Sequence, residues 1–162
     1  MLHDTRQRAR GSRARSMTAD VAIERATPED GEAILELLRA NTLPVEGALD
    51  HLHHALVARC QGRVIGSAAL EVYDDGALLR SVAVEATHRG RGVGQQPTAA
   101  ALELAGTLDV PAVFLLTTSA DGFFPRFAFQ RIRRDDVPPG VRASVEFRYA
   151  CPSTATVMMK AL

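Results

Sequence analysis

The chain has 162 residues, 46% of them hydrophobic, and a formal net charge of zero. That length and apolar content suffice for one domain with a sizeable core. No apolar run reaches the roughly 18–20 residues of a membrane-spanning helix, and the N-terminus lacks the apolar segment of a secretory signal, so a cytoplasmic protein with no membrane partner is expected.

The zero net charge conceals an asymmetry. Residues 1–16 hold five arginines against Asp4, leaving 14 basic and 18 acidic residues in the remainder. Residues 1–19 therefore read as a basic, disordered tail and residues 20–162 as the domain. Nucleic-acid binding through that tail is disfavoured, because few aromatic residues accompany the arginines and the remaining domain is acidic. Two cysteines, Cys60 and Cys151, exclude a disulfide framework and lack zinc-ligand spacing. His51, His53 and His54 offer no convincing third ligand, so they read as solvated side chains and no metal is expected.

"VAIERAT" (21–27) alternates apolar and polar residues like a half-buried strand, and "TPEDGEAILELLRAN" follows at helical spacing with Thr27 as N-cap and Pro28 at the first helical position. Residues 43–54 read as a loop and a short helix. The run from 54 to 85 predicts three antiparallel strands with turns at Gln61-Gly62 and Asp74-Asp75-Gly76. After the third, "ALLRSVAV" (77–84), come a glycine-rich loop and the alanine- and leucine-rich helix "TAAALELAGTLDV". "AVFLLTT" (112–118) is a continuous apolar run that predicts a strand buried on both faces. A short aromatic helix (119–129), a strand near "FQRIR", a turn and helix, and a closing strand at "TATVMMKAL" complete an α/β order with a mixed, mostly antiparallel sheet.

The loop between strand and helix carries the chemistry. Arg89 to Gly94 place three glycines and two arginines in six residues. Glycines allow tight curvature and close approach of a ligand, and free N–H groups at a helix start favour an anion, so a phosphate or pyrophosphate is the natural guest. A P-loop would need a lysine that the loop lacks, and a dinucleotide fingerprint would need a βαβ series where an antiparallel meander stands. Pro97 introduces a question, since a proline beyond the first helical turn deletes a hydrogen bond and bends the helix.

"LLRSVAVEATHRGRGVG" resembles the acetyl-coenzyme-A signature of the GNAT N-acetyltransferases, a V-A-V strand followed by R/Q-x-x-G-x-G/A. The resemblance extends over residues 21–162 and implies a splayed central pair of strands with helices on both faces, acetyl-CoA as cosubstrate, and direct transfer to a small-molecule amine without an acyl-enzyme. It implies that the backbone of Val82, Ala83 and Val84 pairs with the pantetheine arm. The pyrophosphate would then rest on Arg89, Gly90, Arg91, Gly92, Val93 and Gly94. Phe124 occupies the position where many members keep a tyrosine that protonates the leaving thiolate; a phenyl ring cannot do so, which leaves Ser119, Thr117, Thr118 or solvent, with Ser119 carried as the candidate catalytic hydroxyl. Glu71 is the candidate base, matching a strand glutamate that faces the acceptor in several members.

The ending "VPPGVRASVEFRYACPSTATVMMK" (137–160) is similar to that of the arsenic-resistance, ArsN-like acetyltransferases and of amino-acid acetyltransferases. It implies an amino-acid-like acceptor, an arsenic-containing analogue among the options, with Arg80, Ser81, Arg142 and Glu146 as substrate-binding candidates. A homodimer is a family option. A coenzyme-A-binding sensor without turnover is the alternative reading.

Overall fold

The computed structural model describes residues 21–162; the basic tail expected at 1–19 lies outside them. Strand β1 (Val21–Arg25) leads through a 3₁₀ turn at Pro28–Asp30 into helix α1 (Gly31–Ala40). The Thr27 amide donates to Asp30 Oδ2 at 2.9 Å, and both oxygens of Asp30 accept from Arg59 at 3.1 Å, so the turn is tied to the sheet. Ile34, Leu37 and Leu38 form the buried stripe of α1 at the spacing the sequence predicts. A second 3₁₀ segment, Ala48–His54, precedes the meander β2 (Ala55–Cys60), β3 (Arg63–Tyr73) and β4 (Gly76–Val84).

Helix α2 (Gln95–Thr107) crosses to β5 (Ala112–Thr117), the parallel neighbour of β4. A parallel pair needs a crossover of this kind. The chain finishes with a 3₁₀ turn at Phe124–Phe127, β6 (Gln130–Ile132), the short helix α3 (Pro139–Arg142), a π-helical turn at Glu146–Ala150, and β7 (Thr156–Ala161). The seven strands are ordered β1-β2-β3-β4-β5-β7-β6, and every pair except β4–β5 is antiparallel.

Both faces of the sheet are covered. Leu79, Val113 and Leu115 pack with Ala101 and Ala105 of α2, while their neighbours Leu78 and Phe114 pack with Val137, Val141 and Phe147 on the other side. That two-sided burial is why β5 reads as an unbroken apolar run.

The strand pair β4–β5 is the exception on which the site is built. Their pairing is confined to Ala77 with Val113 and Leu78 with Phe114, and beyond it the strands part. A bulge accompanies the divergence: Ser67 opposes Ala83 and Ala69 opposes Arg80, so Ser81 and Val82 share the space facing Ala68. Ser81 has φ +56°, and the Ser67 hydroxyl donates to its carbonyl at 2.6 Å, fixing the bend. Where the strands still touch, packing is tight: a Cβ added to Gly76 would lie 2.8 Å from the Phe114 ring. Gly76→Ala is therefore expected to lower stability by about 1–3 kcal/mol through overpacking, measured as a reduced urea midpoint at unchanged denaturant slope.

Candidate active site

A cleft of about 870 Å³ opens where β4 and β5 separate. One wall is β4 from Leu79 to Val84; the other runs from Leu115 to Ala120 and includes Phe123 and Phe124. The α1–β2 loop and the segment Glu146 to Pro152 close the far end. Val82, Ala83 and Val84 stand on the β4 wall beyond its last pairing with β5, which leaves that edge open to an extended, amide-bearing partner.

The cleft continues into a notch of about 360 Å³ at the glycine loop, lined by Arg89, Gly90, Gly92, Val93, Gly94 and Arg126 among others. Gly90 (φ +81°) and Gly92 (φ +74°) adopt the left-handed conformation, and a Cβ added at either would meet no atom within 4 Å. They are needed for backbone shape, since left-handed residues of this kind build the turns that serve as anion-binding nests. Among the described residues, the amides from Gly90 to Gly94 donate to no protein acceptor. Gly94 is needed for closeness instead, since its Cβ would lie 2.9 Å from Val84 Cγ2. Arg89 is held by Asn41, whose Oδ1 accepts from it at 2.6 Å and whose Nδ2 donates to Leu37 and Val84 carbonyls; Arg91 is exposed. Unsatisfied amides, a helix start and flanking guanidinium groups suit a pyrophosphate.

Pro97 does not spoil this grip. Helix α2 begins at Gln95, so Pro97 is its third residue, inside the first turn where N–H groups have no intrahelical partner to lose. It is buried, and the adjacent Thr98 hydroxyl donates to the Gly94 carbonyl at 2.9 Å, steadying the loop.

At the opposite end lies a buried ionic cluster. Arg80 is 3% exposed and donates from Nε to Glu146 Oε2 and from Nη1 to Glu71 Oε1, each at 3.0 Å. A further nitrogen donates to the Pro44 carbonyl at 3.4 Å, and Nε also approaches Ser81 Oγ at 3.3 Å. Glu71, only 1% exposed, accepts in addition from His51 Nε2 at 2.9 Å and from the Tyr73 hydroxyl at 3.0 Å. Burial raises the pKa of Glu71, but His51 and Arg80 outweigh it and hold the carboxyl below its ordinary range. Burial also lifts Tyr73, and the neighbouring Glu71 charge lifts it further. Glu146 is pushed up by burial, only partly offset by Arg80 and the Cys151 thiol, with Glu71 and Glu46 adding to the rise. Burial and Glu146 push Cys151 up to about 12, so its thiol, 3.4 Å from Glu146 Oε1, stays protonated.

The candidate residues thus divide. Arg80, Ser81, Glu146, Ser119 and Phe124 line the cleft. Glu71 stands behind Arg80, outside the lining, and Arg142 is exposed on α3 with its side chain away from the cleft lining. Phe124 packs edge-on against Phe123 and Phe129 as wall and core. Thr117 Oγ1 is engaged by the Ala120 amide at 2.8 Å, whereas Ser119 is exposed at the mouth. Ala128 has φ +69°, the conformation glycine takes without strain. His51 differs from its expected solvated role: the 3₁₀ segment lays it against Glu71, a long-range pairing with no local signal. Among the described residues, no three His, Cys, Asp or Glu side chains gather as a metal site.

Comparison with known proteins agrees with this geometry. The family model described as the acetyltransferase (GNAT) domain matches residues 51–131. An uncharacterized N-acetyltransferase of Chlorobaculum tepidum is 28% identical over 150 residues, covering 86% of this chain and 96% of the relative. The Mycobacterium tuberculosis protein Rv2747, solved in complex with CoA and NLQ, superposes with a TM-score of 0.75 at 27% identity, over 87% of this chain and 99% of that one. The N-acetylglutamate synthase of Neisseria gonorrhoeae, complexed with coenzyme A and N-acetyl-glutamate, shares the fold with a TM-score of 0.75 at 20% identity, over 88% of this chain and 35% of that one. Two outcomes at the loop are expected by calorimetry with CoA. Gly92→Val, strained by about 1–2 kcal/mol at its positive φ, should bind about tenfold more weakly. Pro97→Ala should leave affinity within about twofold, because no intrahelical bond is at stake in the first turn. The matched domain, the parted central strands and the amide-lined loop agree, and the chain belongs to the acetyltransferase (GNAT) family as an acetyl-CoA-dependent N-acetyltransferase.

Proposed function

We propose that residues 20–162 form a domain that acetylates the primary amine of a small amino-acid-like molecule, as ArsN-like and amino-acid acetyltransferases do, an arsenic-containing amino-acid analogue being within that class. The observation that carries this reading is Arg80: a guanidinium at the inner end of the cleft, nearly closed to solvent, on the strand whose next residues line the donor's channel. Such a fork recognises a carboxylate in two-pronged geometry that lysine cannot reproduce. The fold shared with a synthase holding N-acetyl-glutamate supports the same acceptor class.

In this reading the amides of Gly90 to Gly94, with the Arg89 side chain beside them, bind the pyrophosphate, and the edge at Val82, Ala83 and Val84 carries the pantetheine arm. The bound cosubstrate supplies an activated acetyl thioester. Phe124 and Phe123 exclude water from one side of it. Ser119, an exposed hydroxyl on the cleft wall, offers a proton to the leaving thiolate, while Ser81 and Arg80 hold the acceptor. Glu71 acts through Arg80, as a positioning residue, and Arg142 takes no part.

Thiol release from acetyl-CoA, measured with amino acids and their decarboxylated amines, tests the assignment. Carboxylated acceptors are expected to lead in kcat/KM, and Arg80→Lys to lower that lead about 10- to 100-fold, the worth of a charge-assisted hydrogen bond of about 1.5–3 kcal/mol, with CoA affinity unchanged. Equal rates for amines with and without the carboxylate would remove the acceptor class. Binding of CoA with no turnover across the panel would favour a sensor.

A further inference from the structure

Two carboxylates share one guanidinium in the cluster, and they are not equivalent. Glu71 is held by Arg80, by His51 and by Tyr73, and it stands away from the cleft. Glu146 lines the cleft, and its partners are Arg80 and the Cys151 thiol, a weak donor. Its place on a π-helical turn, with the Cys151 amide donating back to the Glu146 carbonyl at 3.1 Å, aims it inward at the closed end. An acceptor carboxylate reaching Arg80 must therefore compete with a carboxylate already there. Of the two, Glu146 is the one with the fewest bonds to lose and the only one that an acceptor in the cleft can touch.

We propose that Glu146 is the catalytic base, taking the proton of the acceptor's ammonium group and, in becoming neutral, releasing Arg80 to the acceptor's carboxylate. The inference rests on the amino-acid-like acceptor read above. The N–H bond of the ammonium breaks and an O–H bond forms on Glu146, so a zwitterion enters and a free amine with a paired carboxylate results. No net charge is added to the buried cluster: one anion on Arg80 is exchanged for another. After attack on the thioester carbonyl, the amine's second proton leaves with the thiol, and Glu146 returns its own proton to solvent when the product departs.

The surroundings favour this exchange. Glu71 faces the same guanidinium, Glu46 approaches from the α1–β2 loop, and both disfavour a second negative charge at Glu146. Arg80 opposes them; Cys151 remains a neutral thiol, with Arg134 beyond it, and His51 and Tyr73 are engaged by Glu71. A base must be ionised to act. Because burial lifts Glu146 above the ordinary carboxylate range, activity should fall, as pH drops, at a higher pH than an exposed glutamate would give.

The test is steady-state kinetics of the full chain with acetyl-CoA across the acceptor panel, from pH 5.5 to 9.5, for the wild type, Glu146→Gln and Glu146→Asp. Glu146→Gln is expected to lower kcat about 100-fold, the usual worth of a positioned base, with CoA affinity unchanged and KM for carboxylated acceptors unchanged or lower. Its kcat/KM should lose the acidic limb and rise with the free-amine fraction alone. Glu146→Asp, which keeps a carboxylate, should restore part of the rate and the limb, an outcome that a packing defect would not produce. A Glu146→Gln enzyme with the wild-type rate and pH profile overturns the proposal while leaving acetyl transfer intact. If decarboxylated amines react as well as amino acids yet depend equally on Glu146, the acceptor class fails and the base stands. A wild type that turns over no amine overturns both.

Discussion

The early parting of β4 from β5 is the constraint on which this molecule's chemistry depends. Two parallel strands that stayed paired would fill the middle of the sheet and leave no room for a ligand. Here the pairing stops after Leu78 and Phe114. A left-handed Ser81, locked by the Ser67 hydroxyl, keeps β4 turned away. The cleft is thus made by backbone geometry between two buried hydrophobic layers, and its walls inherit their rigidity.

The same divergence sets two chemistries along β4 and the loop that follows it, one at mid-strand and one beyond the strand's end. Toward Val84 the chain offers main-chain amides, and toward Arg80 it offers side-chain charge. The two differ in kind: a row of equivalent N–H dipoles suits a spread negative charge, whereas the Arg80 cluster presents groups of both signs. Burying Arg80 beside Glu71 and Glu146 carries a desolvation cost of several kcal/mol per ion. Such a cluster is a poor way to stabilise a fold and a good way to keep charged groups aimed and dry.

Most of the architecture was legible from residue patterns. The meander, the crossover and the doubly buried β5 each follow from alternation, turn residues or an unbroken apolar run, signals that are local in the chain. The loop at Arg89 to Gly94 was equally plain, because its requirement is for glycine at named positions. Other features were not legible. The pairing of His51 with Glu71 joins residues on separate elements, and nothing in "DHLHH" distinguishes the histidine that turns inward. Glu71 reads as a strand glutamate facing an acceptor, yet the register pairs it with Leu78 and leaves Arg80 diagonally across on the same face, so both enter one buried cluster. Arg142 and Glu146 are four residues apart in one motif, but one ends a short helix, the other begins the π-helical turn, and only Glu146 reaches the cleft. Pro97 illustrates the converse: its sequence context looks adverse, and a helix start at Gln95 makes it harmless.

The donor loop has a consequence beyond affinity. Gly90 and Gly92 present the main chain, whose hydrogens neither titrate nor change with the identity of surrounding side chains. An anion held by such a loop is therefore insulated from acidity and from mutational drift elsewhere in the cleft. Side chains around Arg80, Glu146 and the α1–β2 loop can change without altering those main-chain donors, which is one physical reason a single scaffold can be retooled for many amines.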